Sequence, residues 1–289
     1  MVEIVYRYDP DVSINRFQPA TGDEACRHLE LGNLEFATLL DPNSGHAIDG
    51  SWVIPFDLED IGINNAGGAP KQQPFAVVLG CSDARVPTEL IFNRACNEMF
   101  VVRVAGNVLG REGLGSIDYA IEHLRDSLRL LVVLGHTQCG AVTAATDAFL
   151  KPTSYLGTAG NHPLRSIVNG VFPAVRLAAD ALMNVYGVEV ISQPGYRKAL
   201  IEASIVMNAA VTASMLIPEL TAAERERVKV VYGVYNLVTR RVGNPTSEKK
   251  IPGGAVHLAE PPVDAQGFVT FGDKLARSKE ITDLLTAIN

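Results

Sequence analysis

The sequence predicts an α/β protein with a central, mostly parallel β-sheet flanked by α-helices, and three observations carry that expectation. Short apolar runs, Phe75 to Gly80, Glu98 to Val104 and Arg129 to Gly135, read as strands buried on both faces. Stretches of helical period separate them, the sequence pattern of βαβ crossovers. Finally, 289 residues with 47% hydrophobic and 20% charged content match an ordinary globular protein and exclude a disordered or fibrous one.

Residues 1–22 show no sustained period and carry the turn formers Asp9, Pro10, Pro19 and Gly22, so they are expected to form an extended arm. From Asp23, Leu29, Leu34, Phe36, Leu39 and Leu40 recur at helical spacing, predicting an amphipathic helix bent near Gly32 and completing an N-terminal helical arm. Residues 43–74 read as loop. After the first strand, Pro87 to Asn93 predicts a short helix. Gly115 to Leu128 aligns Ile117, Ala120, Ile121, Leu124 and Leu128 on one face, and Gly140 to Leu150 follows the third strand as a helix. Residues 151–170 are rich in turn formers and read as an excursion. Val171 to Val185 and Tyr196 to Leu216 predict helices, Arg227 to Tyr235 a fourth strand, and Asn236 to Val242 a return along the edge. Phe268 to Phe271 reads as a short strand and Ser278 to Ile288 as a terminal helix. No boundary signal divides the chain, so one domain over 1–289 is expected: an arm (1–22), a catalytic core (23–242) and a C-terminal extension (243–289).

A net charge of −7 argues against a nucleic-acid or anionic-membrane partner, since either requires clustered basic charge, and a small substrate fits better. The N-terminus lacks the basic and apolar regions of an export signal, so a cytoplasmic location is expected. Four cysteines in a chain of this length do not make a disulfide framework; a cysteine with a role is a ligand or nucleophile.

Two strands end alike. Val78-Leu79-Gly80 leads into Cys81, and Val133-Leu134-Gly135 into His136. In an open α/β sheet, ligands bind outside the carboxyl ends of the strands, so both residues face one neighbourhood. Cys139 lies at the start of the next helix, where the helix dipole favours a thiolate. Two cysteines and a histidine are a soft, tetrahedral-preferring donor set suited to zinc, and three protein ligands leave one position open, as catalytic sites do. Asp83 and Arg85 follow directly after a buried strand, where charges are costly unless paired; Arg85 is expected to hold Asp83 ionised beside the metal.

Three segments then carry a family resemblance: Cys81-Ser82-Asp83-Ala84-Arg85-Val86-Pro87, Phe100 to Asn107, and His136-Thr137-Gln138-Cys139-Gly140-Ala141. In order and spacing they resemble the β-class carbonic anhydrases. The likeness is strong from about Gln72 to Ala145 and absent from both tails and from 151–170. The resemblance implies one Zn²⁺ per chain on Cys81, His136 and Cys139, with Asp83 and Arg85 as the catalytic pair. It also implies reversible hydration of carbon dioxide to bicarbonate by attack of zinc-bound hydroxide. By position, the family's substrate pocket maps onto Gln72, Phe100, Ala105, Tyr119 and Gly140, and in that family the pocket lies at a dimer interface, so a homo-oligomer is expected, a dimer or a dimer of dimers. Two alternatives are a hydrolase of carbon disulfide or carbonyl sulfide on the same fold, and a zinc-binding protein without catalysis; the Asp83–Arg85 pair speaks against the second.

Overall fold

A computed structural model of the chain describes residues 2–8, 17–39, 50–55, 57–63, 68–156, 162–246 and 257–286. The elements, in order, are β1 (Val2–Arg7), α1 (Gly22–Thr38), β2 (Gly50–Pro55), β3 (Ala76–Gly80), α2 (Thr88–Ile91), β4 (Met99–Arg103), α3 (Arg111–His123), β5 (Leu130–His136), α4 (Gly140–Leu150), α5 (Pro152–Leu156), α6 (His162–Tyr186), α7 (Tyr196–Leu216), α8 (Ala222–Arg227), β6 (Lys229–Tyr235), β7 (Val242–Gly243), α9 (Ala265–Ala276) and α10 (Lys279–Thr286).

The central sheet has the order β4-β3-β5-β6-β7, parallel except for β7, which turns back antiparallel against β6. Every residue of β3 and β5 is buried, which is why both read as unbroken apolar runs. Alternation divides their side chains between two layers. Val77, Leu79, Leu131 and Val133 face a core built with α3, α4, α6 and α7, while Ala76, Val78, Leu130 and Val132 face one built with α1. From β3 the chain steps to β4 on one side, then passes back to β5 on the other. A crevice opens where the order reverses, at the carboxyl ends of β3 and β5.

Several expected elements differ. Residues 2–7, expected as part of an extended arm, form β1, and the expected loop 43–74 contains β2; the two pair in parallel as a separate sheet, with Trp52 and Ile54 buried beside Leu39. Neither strand has a local partner in sequence, so pairing across more than 40 residues left no local signal. The helix starting at Asp23 does not bend at Gly32. Thr21 caps α1 by accepting the Glu24 N–H at 3.2 Å, and the helix runs through to Thr38. Gly32 is there because a Cβ would lie 2.0 Å from the Phe92 carbonyl oxygen. Gly32→Ala is therefore expected to force α1 off α2 and to cost about 1–3 kcal/mol in urea denaturation; unchanged stability would exclude this close approach.

The expected excursion over 151–170 is partly helical: α6 starts at His162, ahead of the predicted Val171, and continues through Pro173. Its buried face is continuous across the proline, with Val168, Val171, Val175 and Ala178 in line. The helix expected over 115–128 lies earlier, at Arg111–His123. Phe268 to Phe271 is not a strand but the middle of α9, where Asp264 accepts the Gly267 N–H at 2.7 Å and Phe271, Gly272, Leu275 and Ala276 share the buried face. The short helix α8 had a readable start in the Thr221–Glu224 capping box. By length and composition α6 and α7 could each cross a bilayer, yet α7 packs against β5, β6 and α6. In the C-terminal extension, Ala259 bridges to Tyr232, α9 packs on α6 and α10 on α7.

On α1, the His28 ring lies against those of Phe17 and Phe75, with centroids 4.4 and 5.5 Å away, and meets the Arg94 guanidinium. Burial, reinforced by Arg94, pulls its pKa down to about 4. Below its unfolded value of about 6.5 the unfolded chain takes up a proton that the folded one refuses, so stability is lost as pH falls from 6.5 towards 4. With the partial exposure of the ring discounted, the loss is about 1–2 kcal/mol. Urea titrations at pH 7 and pH 4.5 should show a smaller pH effect for His28→Gln than for the wild type; equal effects would rule this out.

Candidate metal centre

The crevice at the switch point holds the three expected donors. Cys81 follows the last residue of β3. His136 ends β5 in register with Tyr235, and Cys139 caps α4 from outside its first turn. Gly80 pairs with Leu134, so parallel register brings Cys81 and His136 to nearly the same level. The donor atoms of Cys81, His136 and Cys139 all lie within 4.8 Å of one another, and all three residues are buried.

The histidine shows which nitrogen is on offer. Its Nδ1 lies 2.9 Å from the carbonyl oxygen of Thr137, which can only accept, so the proton sits on Nδ1. That leaves Nε2 as a lone-pair donor, fully buried and without a hydrogen-bond partner among the described residues. An orphaned buried polar atom of this kind costs about 1–3 kcal/mol, a cost that a bound cation relieves. The sulfurs are poised likewise. The Cys139 S–H holds Cys81 well below the ordinary thiol range despite burial, and the Gly106 N–H, 3.3 Å from Cys81 Sγ, adds to the effect. The same anionic sulfur, together with burial, pushes Cys139 well up. One of the two adjacent sulfurs ionises readily and the other resists it; a cation bound between them would hold both as thiolates, and this donor set fits zinc.

Asp83 stands at the rim, its Oδ2 lying 3.8 Å from His136 Nε2. Arg85 grips it in two-pronged fashion, Nε to Oδ1 at 3.0 Å and Nη2 to Oδ2 at 2.8 Å, and the Arg85 backbone N–H adds a third bond to Oδ1 at 2.8 Å. These contacts hold the Asp83 carboxyl well below the usual carboxylate range, so it is an ionised acceptor at neutral pH.

Of the residues matched to a substrate pocket, Ala105 and Gly140 adjoin the cluster: Ala105 precedes the Gly106 N–H that reaches Cys81, and Gly140 follows Cys139 as the first residue of α4. The others lie elsewhere in the same chain. Phe100 pairs with Val77, about 10 Å back from the end of β3. Its ring lies 6.4 Å from that of Tyr119, which stacks on His123 at 4.5 Å. Gln72 lines a cavity of about 330 Å³ with His123 and Asp126.

One participant was given no role from sequence. Arg103, at the end of β4, donates from Nε to the Cys81 carbonyl at 3.0 Å and from Nη2 to the Asp83 carbonyl at 2.5 Å, bracing the turn that carries both residues. Nothing in the residue pattern marks it, since Arg103 is exposed at the end of a half-buried edge strand.

A family model described as carbonic anhydrase matches residues 76–242, more than half of the chain. Carbonic anhydrase 2 of Mycobacterium tuberculosis is 45% identical over 123 residues, covering 42% of this chain and 56% of that protein. The carbonic anhydrase of Mycolicibacterium smegmatis is 43% identical over 110 residues, 38% of this chain and 50% of its own. The chain thus spans about half the length of the curated relatives it matches. A solved β-carbonic anhydrase structure, CcaA, superposes with a TM-score of 0.46 at 20% identity, covering 60% of this chain and 79% of that one. The matched span takes in β3, β4, β5 and β6 and every residue of the donor cluster, and on that extent the chain belongs to the β-class carbonic anhydrase family.

Proposed function

We propose that the chain catalyses the reversible hydration of carbon dioxide to bicarbonate and a proton, with zinc held by Cys81, His136 and Cys139. The observation that carries this reading is the ionised Asp83 carboxylate, fixed by Arg85 and facing a buried three-donor cluster. A purely structural metal site needs no such carboxylate.

Zinc bound there supplies Lewis acidity, lowering the pKa of a water so that a nucleophile is available near neutral pH. The protein's part is direction and exclusion. Asp83 can only accept, so it accepts a hydrogen bond from the attacking water and turns the oxygen lone pair towards the carbon of carbon dioxide. Arg85 keeps Asp83 charged and stationary. Arg103, through the carbonyl oxygens of Cys81 and Asp83, keeps the carboxylate and the metal donor in one frame. The peptide N–H of Gly140, among the unpaired amides at the start of α4, is available to the developing bicarbonate.

Gln72, Phe100 and Tyr119 enter this reading from a second copy of the chain. They lie away from the cluster in their own chain, and an apolar wall is still needed on the open side of the crevice. β4, which carries Phe100, is a sheet edge whose Met99 to Val102 are only half-buried, and Tyr119 is exposed. A homodimer, or a dimer of dimers, follows, and sedimentation equilibrium tests it. A reducing compartment such as the cytoplasm suits Cys81 and Cys139, which must remain thiols to bind metal.

Stopped-flow hydration of carbon dioxide, on protein of measured zinc content, tests the activity. Rapid turnover near one zinc per chain is expected. Full zinc without turnover would overturn the reading, and carbon disulfide and carbonyl sulfide would then be tried on the same sample.

A further inference from the structure

Helix α7 is the buried helix that lies between the sheet and α6, and 15 of its 21 residues are buried. Within that apolar run stand Glu202, Ser204 and Asn208. Polar groups in such a place are retained only where they have a partner or a task. Ser204 Oγ is buried with no hydrogen-bond partner among the described residues. Glu202 and Asn208 are different: each reaches a backbone segment belonging to the metal centre.

Asn208 Nδ2 donates to the Gly106 carbonyl at 2.8 Å, and the N–H of the same Gly106 donates to Cys81 Sγ at 3.3 Å. Gly106 has φ of 65°, the left-handed region, so the turn that aims its N–H at the sulfur is set by glycine and pinned by Asn208. Glu202 Oε1 accepts the Gln138 N–H at 3.2 Å. Gln138 lies between His136 and Cys139 and also has positive φ, at 57°. A non-glycine residue keeps that conformation when its surroundings hold it, and here it sets the bend that turns both donors inward. Six residues separate Glu202 from Asn208, about 9 Å along the helix, so each supports a different turn.

We propose that Glu202 and Asn208 are positioning residues for the metal centre. From beneath, α7 holds the turn at Gly106 that sets Cys81 and the turn at Gln138 that sets His136 and Cys139. The inference rests on reading these three as metal donors. It assigns the precision of the centre to a helix that contributes no donor, and its consequence is seen in metal binding itself, before any substrate is present.

Cobalt(II) titration of chelator-stripped protein tests it, because the visible absorption of cobalt reports donor number and geometry. Wild-type protein, Ser204→Ala and Glu202→Gln are expected to bind cobalt with the same affinity and the same spectrum, since the glutamine retains an oxygen for the Gln138 N–H. Glu202→Leu removes the acceptor, and Asn208→Asp places an acceptor against the Gly106 carbonyl. Both are expected to bind cobalt about 10–100-fold more weakly, with shifted visible bands. Far-UV circular dichroism of the metal-free proteins checks folding. Glu202→Ala, and Asn208→Ser, which is too short to reach Gly106, are the second variants at each position. Wild-type affinity and spectrum in folded Glu202→Leu, Glu202→Ala, Asn208→Asp and Asn208→Ser proteins, whatever their melting temperatures, would reduce both residues to packing and overturn the inference alone. A wild-type protein that takes up no cobalt would overturn the metal site and the inference with it.

Discussion

Asp83→Asn protein is expected to keep about one zinc per chain and to lose carbon dioxide hydration by roughly 10²-fold or more, in the range typical of a lost proton-handling group. The two outcomes separate because Asp83 is no part of the donor cluster: its Oδ2 lies 3.8 Å from His136 Nε2, while the two sulfurs and that nitrogen form their own group. Asparagine has the same shape but only one acceptor oxygen. If that oxygen keeps the bonds of Oδ1 to Arg85, at 2.8 Å from the backbone N–H and 3.0 Å from Nε, the new amide N–H₂ takes the place of Oδ2. It then meets the Arg85 Nη2 head-on, donor against donor, and offers the metal side a donor where an acceptor is required. If the amide flips, its oxygen takes the Oδ2 position and keeps the Nη2 bond, but its N–H₂ then opposes the Arg85 Nε and backbone N–H, donor against donor. Either way the acceptor that faces the metal is lost or loses the bonds that fix it. Stopped-flow rates beside zinc content decide it. Turnover above half the wild-type value would remove Asp83 from the mechanism, whereas zinc loss in parallel with activity would make it a ligand.

The layout of the sheet was readable because parallel strands buried on both faces are written as unbroken apolar runs, as β3, β5 and β6 are, and β4 reads alike although it is a half-buried edge strand. The donors were readable for a related reason. Topology delivers strand ends to one crevice, so two strands that finish on Cys81 and His136 announce a shared site before any distance is known. What escaped depends on long-range contact. The β1–β2 pairing joins residues more than 40 apart, and no local period records it. Gly32 looks like a helix breaker until the Phe92 carbonyl is seen against it. Phe268 to Phe271 has strand-like composition, and the Asp264 cap and the packing of α9 on α6 override it. Arg103 acts through side-chain bonds to the backbone carbonyls of Cys81 and Asp83, which no residue pattern encodes. Gln72, Phe100 and Tyr119 are legible as a set only through the family pattern. In one chain they form a patch apart from the donors, and the second copy that would unite them leaves no mark in the sequence of one.

Cys139→Ser is expected to abolish zinc retention through gel filtration, to bring hydration to the uncatalysed rate, and to remove the rise in melting temperature that zinc produces in the wild type. Serine matches the side chain closely in size, so packing beside Gly140 and α4 is kept. The loss is chemical: a hydroxyl does not ionise near neutral pH and is a harder donor than a thiolate. Outer-shell partners already contribute about 10–100-fold to metal affinity, so loss of one of three donors should exceed that. The serine hydroxyl can still donate to Cys81 Sγ, so Cys81 and His136 Nε2 remain as two donors where a zinc site takes three or more from the protein. Zinc analysis, melting with and without added zinc, and stopped-flow rates follow these effects on one sample. Near-stoichiometric zinc together with wild-type turnover in this variant would mean that the metal has a different donor set. Asp83 and Arg85 would then have to be reconsidered together, because the position they are proposed to serve is defined by Cys81, His136 and Cys139.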